Sequence, residues 1–130
     1  MTIITSSDIA LTAIANQRVN RVLLNSYGDK SIKKYLNPAA FALPASGALG
    51  NVGSNSVAGP GTWQFDLALS RSFQFRERQK IEFRAEAFNL TNSFRMDISK
   101  LTVNLDSGNF GQVTGALDPR IMQFALKYFF

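Results

Sequence analysis

The sequence contains no cysteine and no histidine among its 130 residues. The absence of cysteine excludes disulfide bonds, thiolate zinc sites and cysteine nucleophiles. The absence of histidine removes the commonest general base and the commonest metal ligand. No apolar run approaches the roughly 18 residues that a transmembrane helix needs. Residues 1–8 also lack the basic and apolar regions of a secretory signal peptide, so we expect either a cytosolic chain or a signal that lies upstream.

Acidic residues are few, with 9 carboxylates against 14 basic side chains and a net charge of +5. The basic residues are scattered, never more than two in succession, so the sequence does not favour a nucleic-acid partner. Glu82 and Glu86 would lie about 13 Å apart on one strand face with Arg84 between them, which is too far for a glycosidase pair. Residues 106–109 lack the spacing of an EF-hand loop. We therefore expect no catalytic residues, no metal, no cofactor and no enzyme activity.

Three segments alternate apolar and polar side chains with the period of two that predicts β-strands: residues 63–75, 79–90 and 121–130. Only residues 76–78 separate the first two segments, so we expect them to form an antiparallel hairpin. The third segment has about the length of a strand that crosses a bilayer, which takes roughly 9–11 residues. Its apolar parity comprises Met122, Phe124, Leu126, Tyr128 and Phe130.

The second segment carries four charges of alternating sign on one parity, namely Lys80, Glu82, Arg84 and Glu86. A dry core cannot hold such a row of charges, whereas a membrane barrel turns it toward a wet interior and its apolar parity toward lipid. We expect these four side chains and Asp66 to face the lumen. A half-exposed sheet of a soluble protein would show the same alternation. The alternative is therefore a soluble β-sheet binding module, such as one that stacks a carbohydrate on its aromatic residues.

The rest of the chain, residues 1–62 and 91–120, is rich in Gly, Asn, Ser and Pro and predicts long irregular loops. Asp29 could cap a short helix over residues 30–36, and a short strand is expected around residues 99–105. The fold class that we predict is therefore all-β, with antiparallel strands and long irregular loops.

Several ordered motifs also resemble a known family. Residues 36–130 are similar to the C-terminal end of TonB-dependent receptor-like outer-membrane proteins of the Oar-like branch. The resemblance rests on Leu36-Asn-Pro-Ala-Ala-Phe41, Gly59-Pro-Gly61, Trp63-Gln-Phe-Asp-Leu-Ala-Leu-Ser70, Ile81-Glu-Phe-Arg-Ala-Glu-Ala-Phe-Asn-Leu-Thr-Asn92, Asn109-Phe-Gly111 and Asp118-Pro-Arg-Ile-Met-Gln-Phe-Ala-Leu-Lys-Tyr-Phe-Phe130. It implies a large transmembrane β-barrel of about 22 strands with a plugged lumen in the bacterial outer membrane.

Such a barrel would bind or take up an extracellular ligand, which the sequence does not specify, with energy supplied through TonB. Only three strands are visible here, so we expect a fragment without plug or TonB box that contributes the last strands of the barrel. Residues 1–62 and 91–120 would then be extracellular and residues 76–78 periplasmic. The expected partners are outer-membrane lipid, the remainder of the parent barrel and, through it, TonB. The resemblance also implies that the barrel-assembly machinery reads a signal comprising Phe124, Leu126, Tyr128 and Phe130.

Overall fold

A computed structural model describes residues 1–130 and contains seven β-strands and no α-helix. The strands are β1 (Ile4–Thr5), β2 (Gln17–Arg18), β3 (Asn20–Arg21), β4 (Phe41–Ala42), β5 (Leu67–Arg76), β6 (Gln79–Phe88) and β7 (Ile121–Phe129). Two short 3-10 helices span Pro38–Ala40 and Ile98–Lys100. Neither helix has the length and apolar character needed to cross a membrane. All strand pairs are antiparallel, which confirms the predicted all-β fold class.

Contacts divide the chain into two units. The loop unit comprises Met1–Gly61 and Met96–Ala116, and the sheet unit comprises Thr62–Arg95 and Leu117–Phe130. The sequence placed residues 91–120 with the strands as one long loop, whereas most of that loop belongs to the loop unit. The reason is a set of long-range contacts, such as the bridge between Ile4 and Asn104, that no local pattern reveals.

The sheet unit is a three-stranded antiparallel sheet in the order β5-β6-β7. Strand β6 lies in the centre, where it pairs Ser70 with Arg84 on one side and Arg84 with Ala125 on the other. Only Glu77 and Arg78 connect β5 to β6. The predicted hairpin and the predicted pairing of β7 with β6 are therefore confirmed.

The strand ends differ from the predicted bounds. Strand β5 begins at Leu67, four residues after the predicted start at residue 63, because regular backbone pairing with β6 does not extend beyond Leu67. The carbonyl of Phe65 accepts the N–H of Leu90 at 2.8 Å, and the carboxylate of Asp66 accepts the N–H of Asn89 at 2.8 Å. The Asp66 side chain thus replaces a backbone carbonyl as the acceptor for Asn89. Strand β6 accordingly ends at Phe88 instead of the predicted residue 90.

The loop unit has its own apolar core despite its irregular backbone. The core residues are Ile3, Val19, Tyr35, Leu36, Ala40, Phe41, Val52, Val57, Leu101, Phe110 and Val113. They come from both parts of the unit, and two short hairpins, β1-β2 and β3-β4, order the backbone around them. The glycine- and asparagine-rich segments are therefore packed structure.

The helix expected over residues 30–36 does not form. Lys30 adopts a left-handed φ of 59°, and Tyr27 forms an antiparallel bridge with Leu36. The N–H groups of Tyr35 and Leu36 both donate to the carbonyl of Gly111, so tertiary hydrogen bonds replace the helical ones. The prediction of a strand around residues 99–105 is also wrong. The segment begins within the 3-10 helix Ile98–Lys100, and isolated bridges from Leu101 and Asn104 to distant residues follow it.

Candidate functional site: a two-faced sheet

One face of the sheet unit is almost wholly apolar. Strand register places Leu69 beside Ala85 and Ala85 beside Phe124, so the side chains of all three strands project together. The rings of Phe83 and Phe124 stack at 6.4 Å between centroids. The other members of this face are Leu67, Arg71, Phe73, Ile81, Ala87, Met122, Leu126 and Tyr128. Arg71 is its only charge, and its guanidinium lies over the ring of Phe73.

This apolar face is uncovered in the structure. Phe124 is 65% exposed and Leu126 is 70% exposed, although both lie within a regular strand. A contiguous exposed patch of large apolar side chains marks a surface that an apolar phase or a partner covers. The three strands have 10, 10 and 9 residues, which matches the roughly 9–11 residues of a membrane-spanning strand.

The opposite face carries the charges that the sequence singled out. Lys80, Glu82, Arg84 and Glu86 lie on it together, as their alternation predicts. Arg84 and Glu86 form an ion pair, and Glu82 lies opposite Lys127 of β7. The row is therefore a charge ladder in which basic and acidic side chains alternate. Its assignment to a barrel lumen stays a prediction.

Asp66 does not lie in that ladder, because it precedes the first residue of β5. Its carboxylate accepts hydrogen bonds from the N–H of Asn89 and from Nε2 of Gln64 at 2.5 Å. Arg95 donates to the side chain of Gln64 and to the carbonyl of Asp118 at 2.8 Å. These contacts form a polar rim at one end of the sheet unit.

Asn89 is the rim residue that sequence reasoning missed. Its side chain is 1% exposed and its φ is 51°. Its Oδ1 accepts the N–H and the hydroxyl of Ser93, both at 3.0 Å, and its Nδ2 donates to the carbonyl of Ser93 at 3.1 Å. Asparagine tolerates the left-handed region and bonds locally, so it is suited to turn the chain out of β6. The sequence signal was the Asn-rich end of the second segment.

The C-terminal strand divides its aromatic residues between both faces. Phe124, Leu126 and Tyr128 lie on the apolar face, whereas Phe130 follows the end of β7, with its ring 6.1 Å from that of Tyr128. Phe129 lies on the charged face, where Nζ of Lys80 is 4.3 Å from its ring centroid. This cation–π contact stabilises Phe129 on the charged face, away from the aromatic side chains of the apolar face.

No group of three or more metal-ligating side chains comes together in the structure. Four carboxyls of the loop unit have a lowered pKa, and all accept hydrogen bonds from groups of the same unit: Asp8, Asp29, Asp97 and Asp106. Hydrogen bonds from the Thr5 hydroxyl at 2.7 Å and from the Ser6 N–H at 2.8 Å hold the pKa of Asp106 below its ordinary value of 3.8.

A family model described as an outer membrane beta barrel domain matches residues 1–123. The chain belongs to this family of outer membrane beta barrel proteins, which places it in the outer membrane. Membership accounts for a sheet that is apolar on one face and charged on the other. No curated protein and no solved structure matches the chain.

Proposed function

We propose that the chain is part of a TonB-dependent receptor-like barrel of the Oar-like branch in the bacterial outer membrane. The observation that carries the barrel part of this proposal is the division of one continuous sheet into an exposed apolar face and a charged face. In a membrane barrel the first face contacts lipid and the second lines a wet lumen. The charge ladder from Lys80 to Glu86 would then face the lumen.

The sheet edges support closure into a larger barrel. Strands β5 and β7 each have one pairing partner, so each presents a row of unpaired backbone groups. Lipid offers no hydrogen bonds to such an edge, and closed barrels are the β-structures that satisfy it. The three strands would therefore pair with further strands of the parent barrel.

The receptor assignment draws on the ordered motifs that resemble the Oar-like branch. The parent would bind an extracellular ligand and receive energy through TonB, without enzymatic chemistry, cofactor or nucleic acid. Residues 1–62 and 91–120 would lie outside the cell, and Glu77 and Arg78 would form a periplasmic turn. Phe124, Leu126, Tyr128 and Phe130 would supply the signal that the barrel-assembly machinery reads.

Site-specific labelling tests the membrane arrangement, and residues 1–130 contribute no native cysteine to the background. Leu126→Cys and Gln123→Cys lie on one strand but on opposite faces, so they are a matched pair. A membrane-impermeant maleimide applied to outer-membrane vesicles should label Gln123→Cys through the lumen and leave Leu126→Cys unlabelled. Gly47→Cys should react on intact cells, and Glu77→Cys should react only after the outer membrane is opened.

The opposite pattern would overturn the proposal. If Leu126→Cys and Gln123→Cys react equally, the apolar face is not in lipid. A monodisperse monomer in plain buffer without detergent would favour a soluble β-sheet module instead. TonB dependence is tested separately, since ligand uptake by the parent should stop in cells that lack TonB.

A further inference from the structure

A cavity of about 380 Å³ opens on the loop unit between residues 28–38 and 108–112. Small-molecule sites measure roughly 300–1,000 Å³, so this volume suits a compact ligand. Every lining residue belongs to the loop unit, which carries its own core. The cavity is therefore a site of the loops and is separate from the faces of the sheet.

The two walls of the cavity are fixed to each other. The carbonyl of Gly111 accepts the N–H of Tyr35 at 2.9 Å and the N–H of Leu36 at 3.2 Å. Gly111 has a left-handed φ of 76°, and an added Cβ would lie 2.8 Å from the carbonyl oxygen of Leu36. Phe110 is buried, with its ring 5.7 Å from that of Phe41 in an edge-to-face contact. The site is thus formed before any ligand arrives.

The charge at the cavity is positive. Lys33 and Lys34 both line it, and no carboxylate does. Neither ammonium group lies within 4.0 Å of a carboxylate oxygen, since the only ion pair of the structure joins two residues of β6. Asp29 attracts Lys34 from farther away, but its carboxylate accepts the N–H of Ser31 at 2.9 Å. The two exposed lysines of the lining therefore have no carboxylate partner and are free to turn toward an anion.

Neutral groups complete the lining. The side-chain amide of Gln112 makes no hydrogen bond in the structure, and Asn37 uses only its Oδ1, which accepts the N–H of Ala39 at 3.1 Å. Amide groups that both donate and accept complement the hydroxyls of a sugar. Pro38, which is exposed, adds apolar surface for the C–H groups of its ring.

We propose that this cavity binds an acidic monosaccharide, a pyranose that carries a carboxylate or a phosphate. Lys33 and Lys34 contact the anionic group, while Asn37 and Gln112 bond the hydroxyls. The site would hold its ligand whether or not the barrel transports it, so the proposal stands apart from the receptor assignment.

A series of three sugars with the same ring tests the proposal: glucose, glucuronate and glucose 6-phosphate. They differ only at C6, which carries an alcohol, a carboxylate or a phosphate ester. Titration of the parent barrel in lipid nanodiscs, followed by NMR shifts, should show at least one acid binding about tenfold or more tighter than glucose. The comparison of the two acids tells a uronate site from a sugar-phosphate site.

Two double variants separate a built site from general charge. Lys33→Ala with Lys34→Ala should abolish the preference for the acid. Lys30→Ala with Lys100→Ala removes the same charge from the loop unit outside the cavity lining and should preserve it. Gln112→Ala should weaken all binding without changing the preference, and unshifted core resonances show that each variant folds.

Three results would overturn the proposal. Equal affinity for glucose and both acids would remove the role of the lysines. Absence of saturable binding of either acid would remove the site. Equal loss in the two double variants would mean that the charge of the whole unit, and not this cavity, attracts the anion.

Discussion

A charge placed on the apolar face of β7 should destabilise the protein far more than the same charge on the opposite face. Leu126 is the sixth of nine residues in the strand. At about 3.3 Å per residue the strand is about 30 Å long, and a tilt of about 45° reduces its span across the bilayer to about 21 Å. Leu126 therefore lies within about 3 Å of the midplane. An arginine there costs about 2–4 kcal/mol in a membrane barrel.

This cost corresponds to a loss of about 30-fold to 900-fold in the ratio of folded to unfolded protein. The matched control is Gln123→Arg, because Gln123 lies on the charged face opposite Glu86. The added guanidinium would meet a carboxylate there, so we expect a change within about 0.5 kcal/mol. Leu126 lies opposite Phe83 and offers an arginine no such partner.

The assay is urea unfolding of the membrane-embedded protein in lipid vesicles. The protein unfolded is the parent barrel, and Trp63 contributes to its tryptophan fluorescence signal. Leu126→Arg should lower the midpoint strongly, and Gln123→Arg should leave it nearly unchanged. Equal losses in the two variants, or a larger loss for Gln123→Arg, would refute the assignment of faces to lipid and lumen.

Three further predictions concern the terminus, the rim and the loop unit. Phe130→Asp should cost only about 0–1 kcal/mol of folding energy at the membrane interface. If the assembly signal is read at Phe130, this variant should nevertheless lower the amount of folded protein in outer-membrane fractions at least as much as Leu126→Arg. Normal amounts would mean that Phe130 is an ordinary interfacial aromatic residue. Asn89→Ala should destabilise the fold by about 1 kcal/mol more than Asn89→Gly in urea unfolding. Both variants lose the side-chain hydrogen bonds, but only alanine is strained at positive φ. Equal losses of stability would contradict this reason. The carboxyl of Asp106 should titrate below 3.8 by NMR, and Thr5→Val should raise its midpoint. Since the folded pKa is the lower one, the carboxylate stabilises the fold above pH 3.8, and this contribution is lost as the pH falls through the folded pKa.

The sheet and its two faces could be predicted from the local pattern of residues. Strand parity is a local property, because successive side chains project to opposite sides whatever the rest of the chain does. From their spacing alone, the row from Lys80 to Glu86 could therefore be assigned to one face of its strand, and the apolar row from Phe124 to Tyr128 to one face of the other strand. The short turn at Glu77 and Arg78 was also enough to predict the antiparallel pairing.

The ends of those strands were less predictable, because tertiary contacts determine them. Leu67 begins β5 since Asp66 turns to cap the backbone of Asn89. Phe129 is an apolar residue on the charged face, where it contacts Lys80 of the neighbouring strand. Both effects depend on side chains that register brings together from distant positions.

The loop unit, by contrast, depends on tertiary contacts for nearly all of its order. These contacts join residues far apart in sequence, such as the hydrogen bond from Thr5 to Asp106 and the bridge from Leu101 to Val113. Glycine- and asparagine-rich segments show no periodicity from which such packing could be read. The helix expected over residues 30–36 was lost because the carbonyl of Gly111 takes the N–H groups that a helix would use. The same tertiary contact forms the cavity of Lys33 and Lys34, which sequence reasoning did not find.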